Sequence, residues 1–177
     1  MRVYIVNGPP QNGKDTFIDL IKENMKEGYC EKISVVDFVK KVATECGWKG
    51  EKGKEDRQFL SDLKRALEKW NDIPFKQVAS FYTSFNHTFK YYDMPSDQAA
   101  LFIIAREPKD IERLSEFFNA KTIYIERKEI SFKDFYCDVD EGTELYKYDI
   151  TIHNEGTLED LVELALDFIK NEKLKGK

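Results

Sequence analysis

Cysteine is scarce and badly spaced for structural work. Cys30, Cys46 and Cys137 are an odd set in 177 residues, with no Cys-x-x-Cys or histidine-associated pattern. That excludes a disulfide framework and a cysteine zinc site, and reduced thiols point to the cytoplasm. Histidine is scarcer still, with only His87 and His153, so imidazole-centred chemistry is not expected and His153 reads as structural. Long hydrophobic runs are missing near the start, where Val3-Tyr4-Ile5-Val6 is four residues long. It is too short for a signal peptide or a membrane span. Positive charge is not in excess either: the net charge of −5 offers no global attraction to nucleic acid. Repeats, low-complexity tracts and linkers are absent apart from a lysine-rich tail, Lys170–Lys177, expected to fray. What remains, 41% hydrophobic and 34% charged, suits one domain over residues 1–177 with a solvated surface.

The most informative segment is Gly8-Pro9-Pro10-Gln11-Asn12-Gly13-Lys14-Asp15-Thr16, directly after the first apolar run. Two glycines flanking four residues let successive backbone N–H groups turn inward as an anion nest. Lys14 then reaches the terminal phosphates of a nucleotide, and the following helix adds its positive end. That helix is legible in Phe17, Ile18, Leu20, Ile21 and Met25, with Gly28 as its stop. Gly8, Asn12, Gly13, Lys14, Asp15 and Thr16 are therefore the candidate ATP-binding residues. Where Ser or Thr normally follows the lysine, this chain has Asp15. Two readings of Asp15 stay open: a ligand for Mg²⁺ or one of its waters, and a carboxylate that only stabilises the helix N-terminus.

Strands and helices then alternate. A strand is expected at Ile33–Val36, ending at Asp37, followed by a helix with Phe38, Val39, Val42 and Cys46 inward, stopped by Gly47. A glycine-broken loop, Trp48–Arg57, carries Lys49, Lys52, Lys54 and Arg57. Phe59, Leu60, Leu63 and Leu67 mark a helix, Asn71-Asp72-Ile73-Pro74 a turn, and Val78, Phe81, Tyr82, Phe85 and Phe89 the core stripe of the next. Ala99–Ala105 reads as a strand buried on both faces. A helix through Ile111 and Leu114 and a strand over Thr122–Ile125 follow. Lys128–Lys147 has weak periodicity and reads as a mobile excursion. Tyr148–Ile152 alternates as the fifth strand, and Thr157-Leu158-Glu159-Asp160 opens the terminal helix as a capping box. The alternation predicts an α/β fold, a parallel five-stranded sheet flanked by helices. In such sheets chemistry collects at the carboxyl ends of the strands. Those ends carry the glycine loop, Asp37, Arg106 with Glu107, Arg127, and His153 with Asn154.

This pattern resembles the P-loop nucleoside monophosphate kinases, and within them the bacteriophage-type deoxynucleoside monophosphate kinases. Gly13-Lys14-Asp15-Thr16 is the most specific element. Arg106-Glu107-Pro108 is similar to the family's Arg-x-Pro segment after its third strand. Tyr148–Leu161 is similar to the strand, Asn-x-Gly turn and helix that close many such kinases and dephospho-coenzyme A kinases. The resemblance implies ATP-dependent transfer to a (deoxy)nucleoside monophosphate, with Mg²⁺ as cofactor and small nucleotides as partners. Lys14, Arg106 and Arg127 would stabilise the moving phosphoryl group, and Asn154 would join the ATP site. Asp37, Lys52, Lys54, Arg57 and Arg106 would bind the acceptor, a helical insertion over about residues 38–98 would cover it, and residues 128–147 would form a lid. Two features depart from the family. Ile104-Ala105 stand where an acidic residue is usual, leaving Glu107 as the nearest carboxylate, and the lid segment is poor in arginine. Other acceptors of the dephospho-coenzyme A or phosphomevalonate kind, and a nucleotide sensor with little turnover, stay open.

Overall fold

In a computed structural model, which describes residues 1–25, 28–51, 53–93, 95, 98–127 and 146–174, the first apolar run becomes strand β1 (Arg2–Asn7). Strands β2 (Tyr29–Ser34), β3 (Ala99–Ile104), β4 (Lys121–Glu126) and β5 (Ile150–His153) join it in the order β2-β3-β1-β4-β5, with every adjacent pair parallel. The expected parallel five-stranded α/β sheet is therefore what forms. Helix α1 (Lys14–Asn24) connects β1 to β2, α5 (Pro108–Phe118) connects β3 to β4, and α6 (Leu158–Asn171) follows β5. Between β2 and β3 run α2 (Asp37–Glu45), α3 (Lys54–Asn71) and α4 (Ile73–Tyr91).

Alternation along β1 builds a core on each face of the sheet, because successive strand side chains point to opposite sides. Tyr4 and Val6 face Phe17, Ile18 and Ile21 of α1 and Phe168 of α6. Val3 and Ile5 face Val78 of α4 and Ile111 and Leu114 of α5. Each such aliphatic or aromatic side chain contributes about 1.5–3 kcal/mol on burial. On β3, Ala99–Ile103 are buried on both faces, as the continuous apolar run requires. The turn at Asn71–Pro74 also forms: Asp72 adopts the left-handed conformation (φ 52°) between α3 and α4.

Several boundaries differ from the sequence reading. Strand β2 begins and ends earlier than Ile33–Val36. It is the sheet's edge, and its polar residues Glu31 and Lys32 carry the ladder to β3 without an apolar run to announce them. Cys46 is exposed rather than inward, and Ala43 takes the buried place on α2. The basic loop ends at Gly53, because the Asp56 carboxylate caps the Gly53 N–H at 3.1 Å and starts α3 at Lys54. Tyr148 precedes β5, whose start is set by Asp149 accepting from the Thr122 N–H at 2.7 Å and its hydroxyl at 2.9 Å. As far as Leu174 the tail does not fray as expected, and residues 175–177 lie outside the described residues. Glu172 and Leu174 are buried, and Glu172 accepts from the Tyr4 hydroxyl at 2.9 Å and pairs with Lys121 at 2.8 Å. Residues 128–145, most of the expected lid, lie outside the described residues.

Candidate functional site

The loop between β1 and α1 holds a backbone that only some residues tolerate. Gly8 has φ 148°, Gln11 65° and Gly13 82°. A Cβ on Gly8 would run into the Ile125 carbonyl, and one on Gly13 would meet the Asn154 side-chain amide. Glycine at these two positions is thus required twice over, by conformation and by close approach. Gly13 is the N-cap of α1, so the first N–H groups of that helix, which have no intrahelical partner, open toward the loop. Gln11 through Thr16 line a depression of about 220 Å³.

Lys14 is the first residue of α1 and is largely buried. Its Nζ donates to the Gly8 and Pro9 carbonyls, each at 2.6 Å, folding the ammonium across the loop. The charge is thereby held at the rim of an N–H-lined concavity, where an anion would sit. Asn12 is fully buried and donates to the Ile125 carbonyl at 3.3 Å. Asn154, buried as well, donates to the Asn12 carbonyl at 3.1 Å, while its own N–H donates to the Glu126 carbonyl at 2.9 Å. The ends of β4 and β5 thus brace the loop. At its other end, Asn7 accepts from the Gly8 N–H and donates to the Arg106 carbonyl at 3.1 Å, tying the loop's start to the end of β3.

Asp15 and Thr16 are exposed at the head of α1. Their oxygens are hard donors of the kind Mg²⁺ takes, so these residues fit the cofactor expected from the loop. Asp15 is not idle: Lys32 of β2 lies 3.4 Å from its carboxylate and 2.8 Å from that of Asp19. Burial works against the Lys32 charge, yet the Asp19 hydrogen bond and the Asp15 and Asp19 charges outweigh it and raise its pKa.

The strand ends assemble as the topology demands. Arg106 follows β3, with its side chain exposed, and Arg127 follows β4, half-buried. Asp37 is the first residue of α2, and its carboxylate accepts from the Ser34 N–H at 2.7 Å, closing the turn after β2. Lys54 is exposed and Arg57 half-buried in the first turn of α3, whereas Lys52 lies outside the described residues. His153 sits 2.5 Å from the Glu126 carboxylate, a pairing across the ends of β5 and β4.

A cluster beside Arg106 escaped the sequence reading. Lys64 is the one buried residue of α3, only 4% exposed, on a helix whose leucines are merely half-buried. Its Nζ contacts Glu107, Glu68 at 2.6 Å and Asp110 at 2.8 Å. Lys109 adds contacts to Glu68 and Glu107 at 3.0 Å each. Burial would push the Glu107 carboxyl up, but Lys64 and Lys109 overcome it and hold it below its ordinary range. At Asp110 burial prevails over the Lys64 charge and the pKa rises. The three carboxylates converge as metal ligands do, and the ammonium occupies their centre. The visible signal was the i, i+4 spacing of Lys64 and Glu68; the partners on α5 are set by tertiary structure. Asn7 was overlooked for a simpler reason, as a polar residue ending an apolar strand.

No family model and no curated protein matches the chain. Among solved structures, it is similar to a shikimate kinase from Aquifex aeolicus: 15% identity, 99% of this chain and 100% of that one, TM-score 0.46. A dephospho-CoA kinase from Campylobacter jejuni gives 18% identity over 97% of both chains, TM-score 0.47. A sugar kinase from a Janibacter species gives 17% identity over 96% and 95%, TM-score 0.46. At such identities and scores nothing about a substrate follows. No helix among the described residues is long and apolar enough to cross a membrane.

Proposed function

We propose that this chain transfers the γ-phosphoryl group of ATP to a small acceptor, and that the acceptor is a (deoxy)nucleoside monophosphate. The observation that carries the reading is the placement of Lys14. Its ammonium lies folded over a strained glycine loop, at the mouth of a depression lined by helix N–H groups. Phosphoryl transfer asks a protein mainly to hold two anionic partners in line and to stabilise charge spreading over the group in flight. Gly8, Gly13 and the backbone from Asn12 to Thr16 cradle the donor phosphates, with Asn12 and Asn154 keeping the cradle in shape. Lys14 exchanges its two carbonyl partners for phosphate oxygens. Asp15, with Thr16 beside it, would hold Mg²⁺, which would supply neutralisation of phosphate charge.

The acceptor enters from the side of β2 and β3. Arg106 meets its phosphate, and Lys54, Arg57 and Asp37 line its approach from the helices after β2, while Lys52, expected to join them, lies outside the described residues. Arg127, at the base of the segment leading into residues 128–147, adds charge on the donor side. The whole chain then acts as one cytoplasmic domain with nucleotide partners. Labelled ATP and a panel of nucleoside monophosphates, deoxynucleoside monophosphates, dephospho-coenzyme A and phosphomevalonate test the proposal. Transfer to one or more of the monophosphates is the expected result. Transfer only to another member would move the acceptor, and ATP binding without transfer to any would replace the kinase with a sensor.

A further inference from the structure

The Arg106 guanidinium makes no ion pair among the described residues, although the next residue is a glutamate whose carboxylate lies within 4.8 Å of those of Glu68 and Asp110. Every one of those carboxylates is engaged elsewhere. Lys64 touches Glu107, Glu68 and Asp110, and Lys109 takes the second oxygens of Glu107 and Glu68. Glu107 itself is extended (φ −82°, ψ 135°) and makes no side-chain cap for α5. Lys64 holds Glu107 toward α3, while Asn7 fixes the Arg106 carbonyl from the β1 side at 3.1 Å.

We infer that Lys64, assisted by Lys109, is a positioning residue that keeps Arg106 free for an anionic group, by occupying the carboxylates of Glu68, Glu107 and Asp110. This rests on the acceptor-side role proposed for Arg106 above. A stability role alone is a weak reason for such a network, since replacing a buried ion pair by apolar residues is often neutral or stabilising. Its position explains it better: three negative charges lie beside the residue that must receive a phosphate. Were Lys64 absent, those charges would either pair with Arg106 or repel the incoming anion.

The test follows the Arg106 Nε–H signal in the ¹⁵N-arginine NMR spectrum during titration with inorganic phosphate, the signal being assigned by its loss in Arg106→Lys. In the wild-type protein the signal should move with phosphate. In Lys64→Met the half-saturating phosphate concentration should rise about tenfold, the effect of an uncompensated charge a few ångströms from the site. Adding Glu107→Gln to Lys64→Met should bring most of it back. A scaffold role predicts instead that phosphate binding simply follows the melting temperature across the three proteins, since Glu107→Gln also relieves an uncompensated buried charge. An unmoved wild-type signal, an unchanged Lys64→Met protein, or a double variant as weak as the single one would each overturn the inference. If Lys64→Met fails to fold, the surface variant Lys109→Met decides instead. It should weaken phosphate binding about threefold by freeing one oxygen each of Glu68 and Glu107, and no change would overturn the inference. The readout needs no turnover, so a chain that transfers phosphate to none of the acceptors yet behaves this way would refute the kinase and leave the inference standing.

Discussion

Asn154 donates its side-chain amide to the Asn12 carbonyl at 3.1 Å, across 142 positions of sequence. The bond joins the turn after the last strand to the glycine loop after the first. Removing it should therefore affect both stability and nucleotide binding. Asn154→Ala leaves a buried carbonyl without its donor, a loss of about 1–3 kcal/mol. Chemical denaturation should show that loss, and calorimetric titration should show weaker ATP binding. A nucleotide contact alone would lower ATP affinity while leaving stability unchanged, and that outcome would reassign Asn154 from the loop to the ligand.

Lys14→Ala should lower turnover by about 10²–10³, the usual effect of losing one preorganised charge at a developing anion. The fold should survive, since the two loop carbonyls that Lys14 contacts lie beside an open depression where water can replace the ammonium. Single-turnover kinetics with circular dichroism as the folding control makes the comparison. A mutant with wild-type turnover would remove the loop from the chemistry.

Asp15 offers a separate handle on the metal. Its carboxylate is 73% exposed and shares Lys32 with Asp19. If it serves Mg²⁺, Asp15→Asn should raise the Mg²⁺ concentration that gives half-maximal rate, and Asp15→Ser should partly restore it. Lys32→Gln should lower that concentration by removing the competing cation. A role at the helix N-terminus alone predicts an unchanged Mg²⁺ dependence in Asp15→Asn, with only about 0.3–1 kcal/mol of stability lost.

Asp72 and Arg113 give a pH signature. The Arg113 Nη atoms donate to the Asp72 carboxylate at 2.9 and 2.5 Å, tying the corner between α3 and α4 to α5. The Arg113 hydrogen bond holds the Asp72 carboxyl below its ordinary range. A lowered carboxyl pKa contributes stability above the unfolded value, about 3.9, and loses it as pH falls through the folded one. Both side chains are well exposed, at 50% and 34%, so the contribution is about 0.2–1 kcal/mol. Asp72→Asn, which tolerates the left-handed backbone equally well, should lower the melting temperature at pH 7. The difference from wild type should shrink as pH falls below about 4, and a difference that persists at low pH would point to packing instead.

How far the sequence could be read depended on the range of the signal. The strand-loop-helix unit from Val3 to Ile21 was legible because its parts are local: an apolar run, two glycines at set spacing, a lysine, and a 3.6-residue stripe. Strand β3 was equally plain, since burial on both faces leaves a continuous apolar run. Strand β2 was misplaced because an edge strand carries Glu31 and Lys32, and its partner, not its composition, makes it a strand. The tail was misjudged similarly: its lysines suggested solvent, but Tyr4 and Lys121 hold Glu172 in place.

The sequence by itself determined the glycine loop between the first strand and helix, the alternation that makes the sheet parallel, and which residues stand at the strand ends, because each follows from neighbours a few positions apart. Only the tertiary structure decided that Asn7, Asn12 and Asn154 brace the loop, and that a buried lysine on α3 engages the acids beside Arg106. Those relations join residues many tens of positions apart. Their cause is the placement of the ends of β4 and β5 beside the loop after β1, and of α3 beside the start of α5, which no local pattern encodes.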